Sequence, residues 1–238
     1  MIRSFGRRCN LSKFSHAREI LTAAAQSTDV LVGNFTSLKE ATPEEFSKAM
    51  VQFSRTVTPE SQTQRLLRKF DSTKGIQIGN TLDLYDHGLQ SATRALRDGA
   101  DEETVVVALL HDIGELDTPN NHGEVAASLL RPYISPKSYW ILMHHEIFQA
   151  YYYQDAAGLT TRDTRERFRG HKYFQACEEF CERWDQPAFD PSFESLPLAD
   201  FAPMVKRVLS RRPYWFETEL DDLSQAKADI AGGYPQHE

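Results

Sequence analysis

Five groups of potential metal ligands follow one another along this chain: His87, His111-Asp112, His122, His144-His145 and Asp185. Their spacing places them on separate elements, so a fold that uses them must bring distant segments to one point. Antiparallel helices do this readily, projecting side chains from facing helices into a shared interior. Imidazole suits iron, zinc, manganese and nickel, whereas carboxylate suits harder cations. A carboxylate also has two oxygens and can reach two ions. Cysteine is sparse, at three residues, Cys9, Cys177 and Cys181. A His/Asp cluster with so little thiolate points to a reactive metal centre and away from a structural zinc site.

The apolar periodicity is helical throughout, and the predicted class is all-α. Ala17 to Ala25 can form a helix. Thr42-Pro43-Glu44-Glu45 and Thr58-Pro59-Glu60 read as helix starts: a capping hydroxyl, proline at the first helical position and acids in the first turn. Asp71 to Gly79 reads as a loop. A helix opens near Asp86 and stops at Gly99, and Asp101-Glu102-Glu103 opens the next. That helix runs through the apolar stretch Val105 to Leu110, with His111-Asp112 in its last turn and Gly114 closing it. Asn121 is expected to cap a helix through Leu130. Ser135-Pro136 opens a long helix with 137, 141, 144 and 148 near one face, and Thr160 to Gly170 reads as a loop or short helix. Lys172 to Asp185 is a further helix, and Met204 to Leu209 the last.

With 238 residues and 40% hydrophobic content, the chain can bury a substantial core. A net charge of -7 argues against a nucleic-acid partner. No apolar run approaches the roughly 20 residues that a membrane-spanning helix needs, so no membrane partner is expected. Few cysteines in odd number point away from a disulfide framework. Cys177 and Cys181 are expected to be small core residues. Residues 1–18 are rich in arginine and serine and contain no acid. They resemble an organelle transit peptide; a disordered basic terminus is the alternative. The expected location is mitochondrial or another organelle in the first case and cytoplasmic in the second. Residues 19–228 are expected to form a single helical domain and 229–238 a flexible tail.

A working division follows from the ligand chemistry. His87, His111, Asp112 and Asp185 would hold one metal. Asp112, His122 and one of His144 and His145 would hold a second, with Asp112 as bridge. Neighbouring helical residues point about 100° apart, so both histidines on one metal is not expected. His144 is favoured, with His145 as the alternate. Arg165, Arg167, Arg169, His171 and Lys172 form a basic cluster that could clamp a phosphate, phosphonate or carboxylate of a substrate; a solvated basic loop is the alternative. Glu146 reads as a solvated helix residue, and Tyr151, Tyr152 and Tyr153 as core and rim.

Three stretches carry a family resemblance: His87-Gly88-Leu89-Gln90-Ser91-Ala92, His111-Asp112-Ile113-Gly114 and Arg183-Trp184-Asp185. Together they resemble the HD-domain superfamily, whose signature is His, His-Asp, Asp. The resemblance covers about residues 80–190 and implies an HD-domain helical bundle with additional N-terminal helices. The intervening histidines point to its dinuclear branch. The His-x-x-Gln-Ser-Ala form looks like the mixed-valent diiron oxygenases, a group that includes myo-inositol oxygenase and phosphonate-cleaving enzymes. That resemblance implies an Fe(II)/Fe(III) pair with His111 and Asp112 at the catalytic centre. It also implies O2 and a small polar substrate, a hydroxy-phosphonate or polyol, as partners. There are departures. HD hydrolases and myo-inositol oxygenase often follow His-Asp-x-Gly with lysine, and here Glu115 stands there. Some phosphonate oxygenases carry Tyr and Glu where this chain has Gln77 and Asn80.

The alternative function is a metal-dependent phosphohydrolase of a nucleotide or other phosphate ester, using Mn, Co, Fe or Mg. A catalytically silent ligand-binding domain is the third reading. The sequence contains no phosphate-binding glycine loop and no Gly-x-Ser-x-Gly elbow.

Overall fold

The computed structural model describes residues 29–153, 156 and 164–216. The basic N-terminus, the helix expected at Ala17–Ala25, part of the loop from Thr160 and the tail from 229 lie outside the described residues. Two compact units divide the chain, Met1–Ser61 and Gln62–Glu238.

In the first unit, α1 spans Pro43–Thr56. Thr42 caps it with a reciprocal box. Its hydroxyl accepts from the Glu45 amide at 3.2 Å, and the Glu45 carboxylate accepts from the Thr42 amide at 3.1 Å. Val51 is the buried residue of this helix. The Arg55 guanidinium donates to the Asp29 carbonyl at 3.1 Å. Helix α2, Pro59–Asp71, begins in this unit as the Thr58-Pro59 signature predicts. Thr58 and Ser61 exchange hydrogen bonds at 3.0 and 3.1 Å.

The second unit is a helical assembly around one apolar helix. Helix α3 spans Leu84–Arg97 and α4 spans Glu102–Leu110. Asp83 caps α3, accepting from the Asp86 amide at 2.8 Å, and Asp101 caps α4, accepting from the Thr104 amide at 2.8 Å. Gly99 turns the chain between them at φ +76°, a conformation that costs a side-chain-bearing residue far more. Every residue of α4 from Thr104 to Leu110 is buried. A helix apolar on all sides belongs inside a larger assembly, and α4 packs against α3, α6 and α8. The helix ends at Leu110, so His111 and Asp112 occupy the turn just beyond it and not its last turn.

Helix α5 spans His122–Leu130 and α6 spans Pro136–Tyr153. Asn121 precedes α5 but makes no side-chain cap bond. Ser135 caps α6 and is itself anchored to Glu103, whose carboxylate accepts from the Ser135 amide at 2.7 Å and the Ser138 hydroxyl at 2.6 Å. Helix α7, Phe174–Phe180, passes into a π-turn at Cys181–Asp185, and α8 spans Leu198–Leu209. Helix α8 begins six residues before the expected Met204. Pro203 inside it suggests a boundary, but burial of Phe201 holds the earlier turn in place. Cys177 and Cys181 are core residues, and burial, with the Cys177 thiol alongside, pushes the Cys181 thiol up. Among the described residues there is no strand, and no helix is long and apolar enough to cross a membrane.

Candidate metal centre

Four histidines and two aspartates of the second unit meet at one place, delivered by five parts of the chain. His87 comes from the first turn of α3, His111 and Asp112 from the turn after α4, and His122 from the first residue of α5. His145 comes from the middle of α6 and Asp185 from the π-turn. In that turn the Gln186 amide donates to the Cys181 carbonyl, five residues back, at 2.9 Å. The extra residue sets the direction of Asp185, a common use of π-turns at functional sites.

The donor atoms fall into two groups that share Asp112. His87 Nε2 lies 3.1 Å from His111 Nε2. Asp112 Oδ2 lies 3.4 Å from His87 Nε2 and 3.2 Å from His111 Nε2. Asp185 Oδ1 lies 3.3 and 3.4 Å from the same two nitrogens. On the other side, His122 Nε2 and His145 Nε2 are 3.2 Å apart. Asp112 Oδ1 lies 3.1 Å from the first and 3.2 Å from the second. One oxygen of Asp112 therefore faces each histidine pair, the disposition of a bridging carboxylate.

The hydrogen bonds on the far side of each ring fix the tautomers. His87 Nδ1 donates to the Ala188 carbonyl at 3.1 Å and His111 Nδ1 to Ala108 at 2.8 Å. His122 Nδ1 points at the Pro119 carbonyl at 3.2 Å, and His145 Nδ1 donates to Leu142 at 2.9 Å. A carbonyl only accepts, so each Nδ1 carries the proton and each Nε2 turns a lone pair inward. Two lone pairs at 3.1 or 3.2 Å repel unless a positive charge lies between them. A metal about 2.0–2.2 Å from each donor spaces neighbouring donors about 3 Å apart, so the residues fit metal ions. The buried Asp185 Oδ2 has no hydrogen-bond partner, as a further donor toward an ion would.

The electrostatics agree. Burial opposes a charged His87, but hydrogen bonds to Asp112 and Asp185 outweigh it and raise its pKa to about 9. His122 is raised to about 10, with burial overcome by Asp112 and Glu115. His111 lies well above the ordinary imidazole value: burial again opposes, and Asp112 and Asp185 prevail. Burial works against the Asp112 carboxylate, yet His111, His122 and His145 hold it well below the usual range. Asp185 is likewise lowered: burial opposes, and His111 and His87 prevail. Without metal the centre attracts protons into the places where metal would sit.

A cavity of about 270 Å³ opens onto the centre. Five carboxylates line it: Asp83, Asp112, Glu115, Glu146 and Asp185. Among the described residues, no lysine or arginine does.

His144, the favoured sixth ligand, is not turned toward the centre. Its ring stacks on Trp140 with centroids 4.0 Å apart, and Phe168 meets it edge-on at 4.8 Å. Helix α6 buries Ser138, Ile141, Leu142, His145 and Phe148, and that stripe carries His145 inward. The basic cluster also departs from expectation. Arg165 is buried, pairs with Glu178 at 3.2 Å and lies 3.5 Å over the Tyr151 ring. Arg169 is bonded to Glu166 at 2.5 Å, and His171 stacks on Trp140 at 4.4 Å. Lys172 lies over Tyr173, and Arg167 is exposed. None of the five lines the cavity. Glu178 and Glu166 lie against the charges of Arg165 and Arg169.

Three residues at the centre have roles that sequence reasoning did not assign. Gln149 donates to Asp185 Oδ1 at 3.0 Å; its place one turn after His145 is the signal that could have found it. Glu146 is not merely solvated: it accepts from the Gly123 amide at 2.7 Å. Glu115 lies against His122 Nδ1. Gly123 is required where it stands, because a Cβ there would collide with the Leu142 carbonyl and come within 2.9 Å of the His145 ring.

Residues 84–180 match the family model of the HD domain, and the match contains His87, His111, Asp112, His122 and His145. It supports the HD-domain superfamily for this part of the chain, and the all-α architecture is consistent with that fold. HD domains are typically metal-dependent enzymes. No curated protein matches the chain.

Proposed function

We propose that the chain is a dinuclear-iron oxygenase that uses O2 to oxidise or cleave a small polar substrate. The observation that supports its dinuclear part is Asp112, which turns one oxygen to each of two ligand groups; iron and O2 enter through the resemblance carried by His87-Gly88-Leu89-Gln90-Ser91-Ala92. His87, His111, Asp112 and Asp185 would hold one ion, and Asp112, His122 and His145 the other. When bound, an Fe(II)/Fe(III) pair supplies Lewis acidity toward a substrate hydroxyl and redox chemistry toward O2.

The chain's own residues supply the rest. The carbonyls of Ala188, Ala108 and Leu142 hold three imidazoles in the metal-ready tautomer. Gln149 holds Asp185 in place. Phe189 stacks on the His87 ring at 4.5 Å and Phe180 meets His111 edge-on at 5.7 Å, so aromatic surface packs against both imidazoles of that side. The cavity size suits a small molecule. Its lining favours a neutral polyol over a phosphate ester or phosphonate: five carboxylates line it and, among the described residues, no lysine or arginine does.

The test is O2 consumption by the iron-loaded protein with polyols and hydroxy-phosphonates, alongside anaerobic phosphate release from phosphate esters. Substrate-dependent O2 uptake is expected. Phosphate release without O2 would make the chain a phosphohydrolase instead.

A further inference from the structure

We propose that Glu115 is a positioning residue that fixes His122 and selectively strengthens metal binding on the His122/His145 side of the centre. The inference rests on the dinuclear reading above. Glu115 follows Asp112 by three residues in the same turn, where the Glu115 amide donates to the Asp112 carbonyl at 3.0 Å. The His122 ring is gripped from both ends by this one turn. Asp112 Oδ1 faces Nε2 at 3.1 Å, and Glu115 Oε2 lies against Nδ1. Glu115 Oε2 is buried and satisfies no hydrogen bond elsewhere, so the His122 ring is the group it is left to pair with.

The other three imidazoles of the centre rest their Nδ1 on carbonyls. His122 alone among them has a carboxylate there; its carbonyl contact, to Pro119, is the longest of the four at 3.2 Å. Glu146 Oε1 stands 3.6 Å from the same Nδ1 while accepting from the Gly123 amide at 2.7 Å. It steadies the start of α5 from the α6 side. A hydrogen bond from an imidazole to a charged acceptor is roughly twice as strong as one to a neutral acceptor. It fixes the ring and raises the basicity of the far nitrogen, and losing such a partner typically weakens metal binding about 10–100-fold. That nitrogen serves one side of the centre only.

The experiment is calorimetric titration of the metal-free full chain and its variants with Co(II), with absorption spectra to follow the coordination of each ion. In Glu115→Ala the weaker step should loosen about 10–100-fold while the other step is unchanged. Glu115→Gln, whose amide oxygen still accepts from Nδ1, should fall between the two. Glu115→Lys offers no acceptor and should match the alanine variant. Wild-type affinities in all three, or equal weakening of both steps, would overturn the role of Glu115. Wild-type protein that binds one Co(II) would instead contradict the dinuclear reading itself.

Discussion

The two sides of the metal centre differ in their access to solvent. On one, the side chains of His87, His111 and Asp185 are 3, 1 and 2% exposed, behind Phe180 and Phe189. On the other, His145 is as buried, but His122 is 13% exposed and stands at the start of a helix beside two glutamates. The closed side has two carboxylates and two imidazoles; the open side shares one carboxylate and adds two imidazoles. A side with fewer protein donors and some solvent access is where a substrate can take up a vacant position. The closed side is built to hold.

The comparison is broken most severely at its shared residue. Asp112→Ala should lose both ions and all activity, a larger effect than the 10–100-fold typical of outer partners; metal analysis and O2 uptake measure it. Asp185→Asn and His122→Ala should separate the sides. The first weakens the closed ion and the second the open one, each leaving about one metal per chain. Equal loss from both variants would mean that the centre behaves as a single unit.

His145→Ala should weaken the open ion as His122→Ala does, whereas His144→Ala should leave metal content unchanged. This pair also marks the limit of sequence reading. The order of the stations reveals that the helices converge, because ligands so widely spaced have no other common use. It does not choose between adjacent histidines, since 141, 144 and 148 and 141, 145 and 148 are both acceptable helical stripes. The choice came from packing: His144 found Trp140 and Phe168, and His145 found Gly123. Helix starts at Thr42, Thr58 and Asp101 were legible because capping is local. The beginning of α8 was not, because buried Phe201 overrides a local proline signal. The Arg165–Lys172 stretch misled because Glu166 and the distant Glu178 neutralise charges that a linear reading counts as free.

A pH experiment sharpens the electrostatic side. In the metal-free protein His87 and His122 are raised to about 9 and about 10, above an unfolded value near 6.5. The folded state therefore holds protons that the unfolded state has released. Their contribution to stability is full below about pH 6.5 and is lost as pH rises through 9 to 10. Thermal unfolding of the metal-free protein should show this fall, and bound metal should remove it by displacing the protons. Over the same range metal affinity should rise with pH. The smallest effect is expected outside the centre. Arg167→Ala or Lys172→Ala should change kcat/KM by no more than about twofold, the scale of an exposed charge.

The shared carboxylate is tested most directly by iron content with EPR and Mössbauer spectra of anaerobically purified, partly oxidised protein. Two irons per chain with a coupled Fe(II)/Fe(III) signal, lost in Asp112→Ala, is the expected result. A single ion per chain, or two irons with no magnetic coupling, would contradict a centre bridged by Asp112.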